Sequence, residues 1–446
     1  MAKTPRVMPA KRNLELVMLL FGFGMYAFAI AQVQLATIFI LRADGWFYWA
    51  LPVIVTLVFH FLLRFRAKDA DPLLLPIGFL LNALGIVMIY RLDLVKPIGS
   101  DNSFAFRQVI WMVVALAISG LVLFLVKTHL SFRKYIYISM AVGVILLVLP
   151  LLPVIGKTVS GAHLWVNLGP LSFQPGELAK IALCIFFAGY LTQRREALSV
   201  VGRKLMGIRI PPARELGPIL FIWLASLGVL ILQRDLGTSL LYFGLFLVLI
   251  YLSTARIFYV LVGLVMFVAG ALVASRLMSY VGGRLDGWLD PLNDANYNAV
   301  GGSYQLAQSM FGLAHGGLFG TGLGGGLPNL VPLAESDFIV SAIGEELGLV
   351  GLFAVLGLYL VMVFRSLRIS NMHSDDFSKL LSTGLGFVIA LQVFIVIGGV
   401  LRVVPLTGLT TPLLTAGGSS LLANWIIIAL LLRLSDTLPK AGTVTE

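Results

Sequence analysis

Apolar runs of roughly 18 residues or more recur along this chain from end to end, and a run of that length crosses the hydrocarbon core of a bilayer as one helix. Such runs leave little material for anything else. Of 446 residues, 59% are hydrophobic and 12% charged, about half the charged share of an ordinary soluble domain. A water-soluble chain of this length would form two or three domains with charged surfaces, which this composition excludes. The single cysteine, Cys184, excludes a disulfide framework and a cysteine-based zinc site.

Charged and Pro/Gly-rich breaks divide the runs into twelve expected spans. They lie near residues 14–35, 46–63, 72–90, 108–126, 136–154, 177–193, 216–232, 236–252, 257–279, 338–364, 380–401 and 418–434. An even number puts both termini on one side. With the N-terminus inside, 22 of the 32 Lys and Arg face the cytoplasm and 10 lie outside or near the outer surface, as the positive-inside rule demands. Residues 1–13 then form a basic cytoplasmic N-terminus and 435–446 a cytoplasmic tail. The first run is too long for a cleavable signal and ends on no small-residue cleavage motif, so it reads as a retained span. The net charge of +11 needs no nucleic acid, because basic residues beside the inner leaflet are held by anionic membrane lipids at roughly 1 kcal/mol each.

The interval 281–337, between the ninth and tenth spans, is by far the longest and is placed outside. Loops beyond about 12 to 15 residues are functional or disordered as a rule, and this one holds too many aromatic and apolar residues for a solvated linker. It carries Arg284, Asp286, Asp290-Pro291, Asp294, then Gly302-Ser-Tyr304-Gln305 with Gln308 and Ser309, a glycine-rich stretch from Gly316 to Gly326, and Asp337. Three aspartates within nine residues suit a metal or catalytic cluster, while Asp290-Pro291 equally suits a turn. Residues 303–312 have helical spacing that aims Gln305, Gln308 and Ser309 at a ligand or leaves them on an amphipathic surface helix.

Other polar groups gather at the expected outer ends of spans. Gln174-Pro-Gly-Glu177-Leu-Ala-Lys180 opens span six, with Glu177 and Lys180 three apart on one helical face; an ionisable pair at membrane depth is by default a functional site. Asp235-Leu-Gly-Thr238 precedes span eight, and Gly417-Gly-Ser419-Ser420 opens span twelve, where hydroxyls and backbone amides at a helix N-terminus suit an anion. Glu345 and Glu346 fall inside span ten. The five histidines are scattered, and no H-E-x-x-H, Walker A or G-x-S-x-G motif is present, which removes a zinc protease, an ATP-driven motor and a serine hydrolase from view.

Read in order, Ser172-Phe-Gln174-Pro175-Gly-Glu177-Leu-Ala-Lys180, Asp235-Leu-Gly237-Thr238, Tyr280 to Asp294 with Gly302-Ser-Tyr304-Gln305, Asp337-Phe-Ile with Gly344-Glu345-Glu346-Leu-Gly348, and Pro405-Leu-Thr407-Gly408 through Pro412 to Gly417-Gly-Ser419-Ser420 resemble the SEDS family, the RodA/FtsW group of bacterial peptidoglycan polymerases. The resemblance implies an all-α polytopic protein whose ten-helix core covers residues 72–434, preceded by two additional helices in 14–71 similar to those of actinobacterial members. It implies glycosyl transfer from lipid II, the undecaprenyl-pyrophosphate-linked disaccharide peptide, at the outer face of the plasma membrane, alongside a class B penicillin-binding protein. It also makes Asp294 the essential acid. Gln174, Glu177, Lys180, Asp235, Thr238, Arg284, Tyr304, Gln305, Gln308, Ser309, Asp337, Ser419 and Ser420 are then expected to bind substrate. A divalent ion, Mg²⁺ or Mn²⁺, is expected as cofactor, with Asp290 its candidate ligand. The chain departs from the pattern in Gly161-Ala-His163-Leu164-Trp165, where the family usually has an arginine before the tryptophan, at Arg234 and Ala416, and in a longer stretch between Asp294 and Gly302.

Such a reaction needs a base for the attacking hydroxyl and cations for the departing pyrophosphate. A lipid II flippase would instead use Glu177, Lys180, Glu345 and Glu346 as pathway residues, yet the richest polar interval lies outside and no inverted repeat is visible. A scaffold that recruits a transpeptidase would tolerate loss of the loop carboxylates.

Overall fold

The computed structural model describes residues 10–42, 45–96, 103–153, 155–159, 161–168, 171–199, 231–299 and 302–438, with short pieces at 204–205, 208–209, 224–225 and 228–229. Among the described residues, ten helices are long and apolar enough to cross a membrane, each at a place where an apolar run occurs. The helix Gly176–Ser199 stands where the sixth span is expected. The span expected near 216–232, and most of the basic segment 194–214, lie outside the described residues. The chain falls into two compact units.

The first unit holds Met1–His129, Gln308–Met372 and Thr410–Glu446. In it α1 (Ala10–Ile38) packs along α3 (Leu74–Leu94), and α2 (Trp46–Arg66) along α4 (Phe104–Leu125). Phe21, Phe28, Val58 and Phe65 stay exposed on α1 and α2, as helices apolar all round do when lipid rather than water covers them. The centre of the unit is α3 together with the helix Gly418–Asp436. Both are almost wholly buried.

Between them runs an irregular segment, residues 410–417, whose backbone polar groups find partners on side chains. Asn82 donates to Leu413 O (3.2 Å) and accepts from Trp425 Nε1 (3.3 Å), and Gln108 donates to Thr415 O (2.9 Å) and accepts from Gly417 N (3.2 Å). The Tyr359 hydroxyl donates to Pro412 O, and Ala416 N donates to Glu335 O at 2.8 Å. Unpaired, each such group would cost several kcal/mol in a hydrocarbon setting. Gly85 permits the approach, since a Cβ there would lie 2.3 Å from Leu414 O.

The long helix Ile339–Met372 is broken at Gly348, with φ 66° and ψ −172°. This corrects the expectation of a continuous span through 338–364: Glu345 and Glu346 end a short helix instead of lying within a long one. The glycine-rich stretch wraps the break. Thr321 N donates to Glu345 O (3.0 Å), Gly322 N to Glu346 O (2.9 Å), Leu349 N to Gly317 O (3.0 Å) and Val350 N to Leu318 O (3.1 Å). Both carboxylates are consumed as well. Glu346 accepts from Arg91 Nε (3.0 Å) and Gly324 N (2.9 Å), and Glu345 accepts from Leu327 N (2.9 Å) and sits 3.0 Å from His315 Nδ1.

The second unit holds Leu130–Ala307 and His373–Leu409. After α5 (Ile136–Val148), a three-stranded antiparallel sheet, β1 (Gly156–Val159), β2 (Ala162–Leu168) and β3 (Leu171–Phe173), leads into α6 (Gly176–Ser199). There follow α7 (Leu236–Thr254), α8 (Ile257–Leu277), α9 (Ser279–Leu289), α10 (Asp294–Tyr297) and α11 (Tyr304–Gly316), the last running on into the first unit. The interval expected as one outer loop, 281–337, is therefore built largely of short helices. The helices here called α12, α13 and α14 are Ile339–Met372, Asp376–Val400 and Gly418–Asp436. Within the unit, α6 packs on α5, α7 and α13.

Gly348 occupies a region of φ/ψ space that is essentially glycine-only, and a Cβ there would meet Gly320 N at 2.3 Å. Gly348→Ala should destabilise the protein by more than about 2 kcal/mol. Gly357→Ala, on the same helix with nothing within 4 Å of its Cβ position, should be neutral or gain about 0.5 to 1 kcal/mol. Thermal unfolding of the two variants in detergent measures the contrast.

Candidate active site

At the head of α6, the Pro175 carbonyl accepts the first helical amides, Leu178 N and Ala179 N, each at 3.0 Å. Glu177 sits in this first turn, where the helix dipole favours an acid. Lys180 follows one turn on, its Nζ 2.6 Å from Glu177 Oε2, and the two side chains are only 1% and 6% exposed. Lys180 also donates to Gln392 Oε1 of α13 at 2.9 Å. Two of its three protons are thus engaged. The expected ionisable pair is present, buried, and joined by a residue the sequence analysis did not single out.

Tyr242 on α7 donates to Gly176 O at 2.9 Å and lies within electrostatic reach of both Glu177 and Asp235. Asp235 is the N-cap of α7: Oδ1 accepts from Thr238 N (3.0 Å) and Oδ2 from the Thr238 hydroxyl, the arrangement that satisfies orphan amides at a helix start. Burial pushes the Asp235 carboxyl above the usual carboxylate range, against the pull of Thr238 and of the Arg284 charge. Arg284 lies over the Tyr280 ring, 4.5 Å from its centroid, and donates to Leu406 O at 3.1 Å. Glu177, Lys180, Asp235, Thr238 and Arg284, scattered over about a hundred residues, form one polar seam in the second unit.

Beyond Arg284, α9 ends at Leu289 and the chain turns. Asn296 Nδ2 donates to Asp286 O (3.2 Å) and Asp290 O (2.9 Å), and Ser303 Oγ to Pro291 O (2.7 Å). Asn293 caps α10 by accepting from Ala295 N at 3.0 Å. Asp294 is the first residue of α10 and its side chain is exposed. The rings of Tyr297 and Tyr304 meet edge to face, 5.2 Å between centroids. Gln305 is half-buried, and Gln174 accepts from Glu177 N through its own carbonyl at 3.2 Å. Among the described residues, the carboxylates of Asp286, Asp290 and Asp294 do not gather as a trio of ligands.

The other expected residues belong to the first unit. Gln308 is half-buried and Ser309 fully buried on α11. One turn further on, Gly312 packs against the Glu345 carboxylate, so this face looks into protein. Asp337 is half-buried in the turn that enters α12. Ser419 is buried, and Ser420 accepts from the Thr410 hydroxyl (2.7 Å) and from Asn424 Nδ2 (3.2 Å). Gln392 and Tyr242 escaped notice, although a lone glutamine inside an apolar run is itself a signal.

These features define a polytopic helical membrane protein with a buried polar seam beside an exposed acidic turn. Residues 72–439 match the model of the FtsW/RodA/SpoVE cell cycle protein family, and the chain belongs to it. The chain is 43% identical over 445 residues to the peptidoglycan glycosyltransferase RodA of Mycobacterium tuberculosis, covering 97% of this chain and 92% of that protein. To stage V sporulation protein E of Bacillus subtilis it is 31% identical over 377 residues, 83% of this chain and 98% of that one. A chain in the solved structure of a peptidoglycan synthase complex, described for its coordination of polymerization and crosslinking, superposes with a TM-score of 0.65 at 27% identity, covering 82% of this chain and 97% of that one.

Removing one member of a buried ion pair strands the other, at a cost of about 3 to 5 kcal/mol. Lys180→Met and Glu177→Gln should each lower thermal stability. The double variant should lose less than the sum of the two, and unfolding in detergent of all four proteins measures the coupling.

Proposed function

We propose that the chain is a peptidoglycan glycosyltransferase that polymerises lipid II into β-1,4 glycan strands at the outer face of the bacterial plasma membrane. A class B penicillin-binding protein supplies the crosslinks, in cell elongation or division. The observation that carries this reading is the exposed Asp294 on a tied turn directly after the polar seam, in a chain of this family.

In the reaction, the 4-hydroxyl of one sugar attacks the anomeric carbon of another. Its proton passes to the Asp294 carboxylate, and the bond from the anomeric carbon to the pyrophosphate oxygen breaks with its electron pair on the leaving group. Negative charge on the pyrophosphate grows as that bond breaks, so cations held in place lower the barrier. Arg284 and Lys180, oriented by Leu406, Glu177 and Gln392, are the cations of the seam. The exposed Asp290 has the hard-oxygen chemistry that Mg²⁺ or Mn²⁺ takes, with substrate phosphates and water completing the shell; when bound, that ion would add charge neutralisation at the pyrophosphate. Gln174, Asp235, Thr238, Tyr304 and Gln305 complete the substrate side of this unit. The apolar tail has a counterpart in a cavity of about 520 Å³ lined by Ile231, Met266, Gly270, Val273, Leu277 and Met278, among others. Both termini lie in the cytoplasm on this reading.

A lipid II flippase would use the buried Glu177, Lys180 and Gln392 group as its pathway and would leave glycan synthesis indifferent to Asp294.

With lipid II and the cognate penicillin-binding protein, Asp294→Asn should lower polymerisation by roughly 10² to 10⁴, while membrane insertion and partner binding persist. Asp290→Asn should be milder. Equal losses would point to a shared metal site, and native-rate polymerisation by Asp294→Asn would remove the base assignment. Orientation has its own test. Cys184 is buried, so a cysteine placed at Asn298 provides the accessible thiol, and it should react in intact cells with an impermeant reagent; labelling only after permeabilisation would reverse the topology.

A further inference from the structure

Helix α13 ends in a Schellman turn: Arg402 N donates to Gly399 O (3.2 Å) and Val403 N to Gly398 O (2.7 Å). The residue at the turn of such a cap lies in the left-handed region and is usually glycine. Here it is Arg402, at φ 60°, a conformation that crowds any L side chain. Residue 402 offsets that crowding with two side-chain contacts that a glycine could not make and one, through its carbonyl, that a glycine would keep.

Those contacts all fall on the end of α9. Arg402 Nε donates to Trp288 O at 2.7 Å, Nη2 donates to Leu289 O, and the Trp288 indole N–H donates back to Arg402 O at 3.1 Å. The last carbonyls of a helix have no partner within it, and a cation beside them is favoured by the dipole. A planar guanidinium that grips two successive carbonyls fixes their direction, and so fixes the heading of the chain as it leaves α9. The carbonyls on either side are held by Asn296. Asp294 lies five residues beyond Leu289, so a small rotation at the helix end becomes a displacement of its carboxylate.

We propose that Arg402 is a positioning residue for Asp294, a fork that aims the acidic turn from the end of a neighbouring helix. This deepens the reading above and rests on Asp294 being the base. A misplacement of about 1 Å costs a proton-transfer step up to about a hundredfold, so the fork acts on turnover more than on affinity.

Arg402→Gly separates the two roles of the position, because it relieves the backbone and deletes the fork. In the full chain with its penicillin-binding partner and lipid II, this variant should keep or raise its thermal midpoint. Turnover should fall by about 10- to 100-fold, with KM changed less than about twofold. Arg402→Lys, which keeps a cation but loses the planar fork, should recover part of the rate. A nitroxide on Leu292→Cys should become more mobile in Arg402→Gly than in the native background, a readout that does not depend on activity. Native turnover in Arg402→Gly, or an unchanged nitroxide spectrum, would overturn the positioning role. If Asp294→Asn polymerises at the native rate, the base assignment fails and the positioning role falls with it. An inactive Asp294→Asn beside a fully active Arg402→Gly removes the positioning role alone.

Discussion

A backbone carbonyl or amide that leaves regular structure inside a bilayer has no water to turn to, and this constraint organises the protein. Where the chain stays helical, the sequence between the helix ends is free to be almost uniformly apolar. Where it departs from helix, at 410–417 and around Gly348, polar side chains appear on otherwise greasy helices at the points where carbonyls need them. Asn82, Gln108 and Tyr359 are such residues. Arg91 and Glu346 are another pair, meeting 255 residues apart in sequence.

The same constraint governs the charges. Glu177 and Lys180 neutralise one another before either meets the apolar surroundings, and Gln392 accepts a further hydrogen bond from the ammonium. Asp235 is buried only as a helix cap, with its oxygens occupied by Thr238. Asp294, like Asp286 and Asp290, differs. It is exposed, at the tip of a turn whose carbonyls are taken up by Asn296, Ser303 and Arg402. Rigidity in this part of the molecule comes from ties to the backbone, which leaves the carboxylate itself uncommitted.

What the sequence discloses follows from range. Apolar runs are local, so most of the described helices could be placed to within a few residues, and the three-residue spacing of Glu177 and Lys180 is enough to put them on one helical face. The family resemblance supplied Asp294, which local chemistry alone left level with Asp286 and Asp290. The small sheet at 156–173 was not legible, because strands of three to seven residues leave a weak periodic signal. The break at Gly348 was hidden by the apolar continuity of its flanks. Arg402 gave no sign at all. Its role depends on a backbone angle and on a helix end more than a hundred residues earlier in the chain, neither of which is written in its neighbours.

The break at Gly348 bears on how motion travels. A continuous helix is a stiff rod that passes torsion from one end to the other. Here the residues just beyond the break, Leu349 and Val350, hang from the carbonyls of Gly317 and Leu318, while those of Glu345 and Glu346 receive the amides of Thr321 and Gly322. The glycine strap therefore works as a splice. Residues on both sides of the break are thereby tied to the same few residues, 317–322, so a displacement of either half of α12 bears on one shared set of backbone hydrogen bonds.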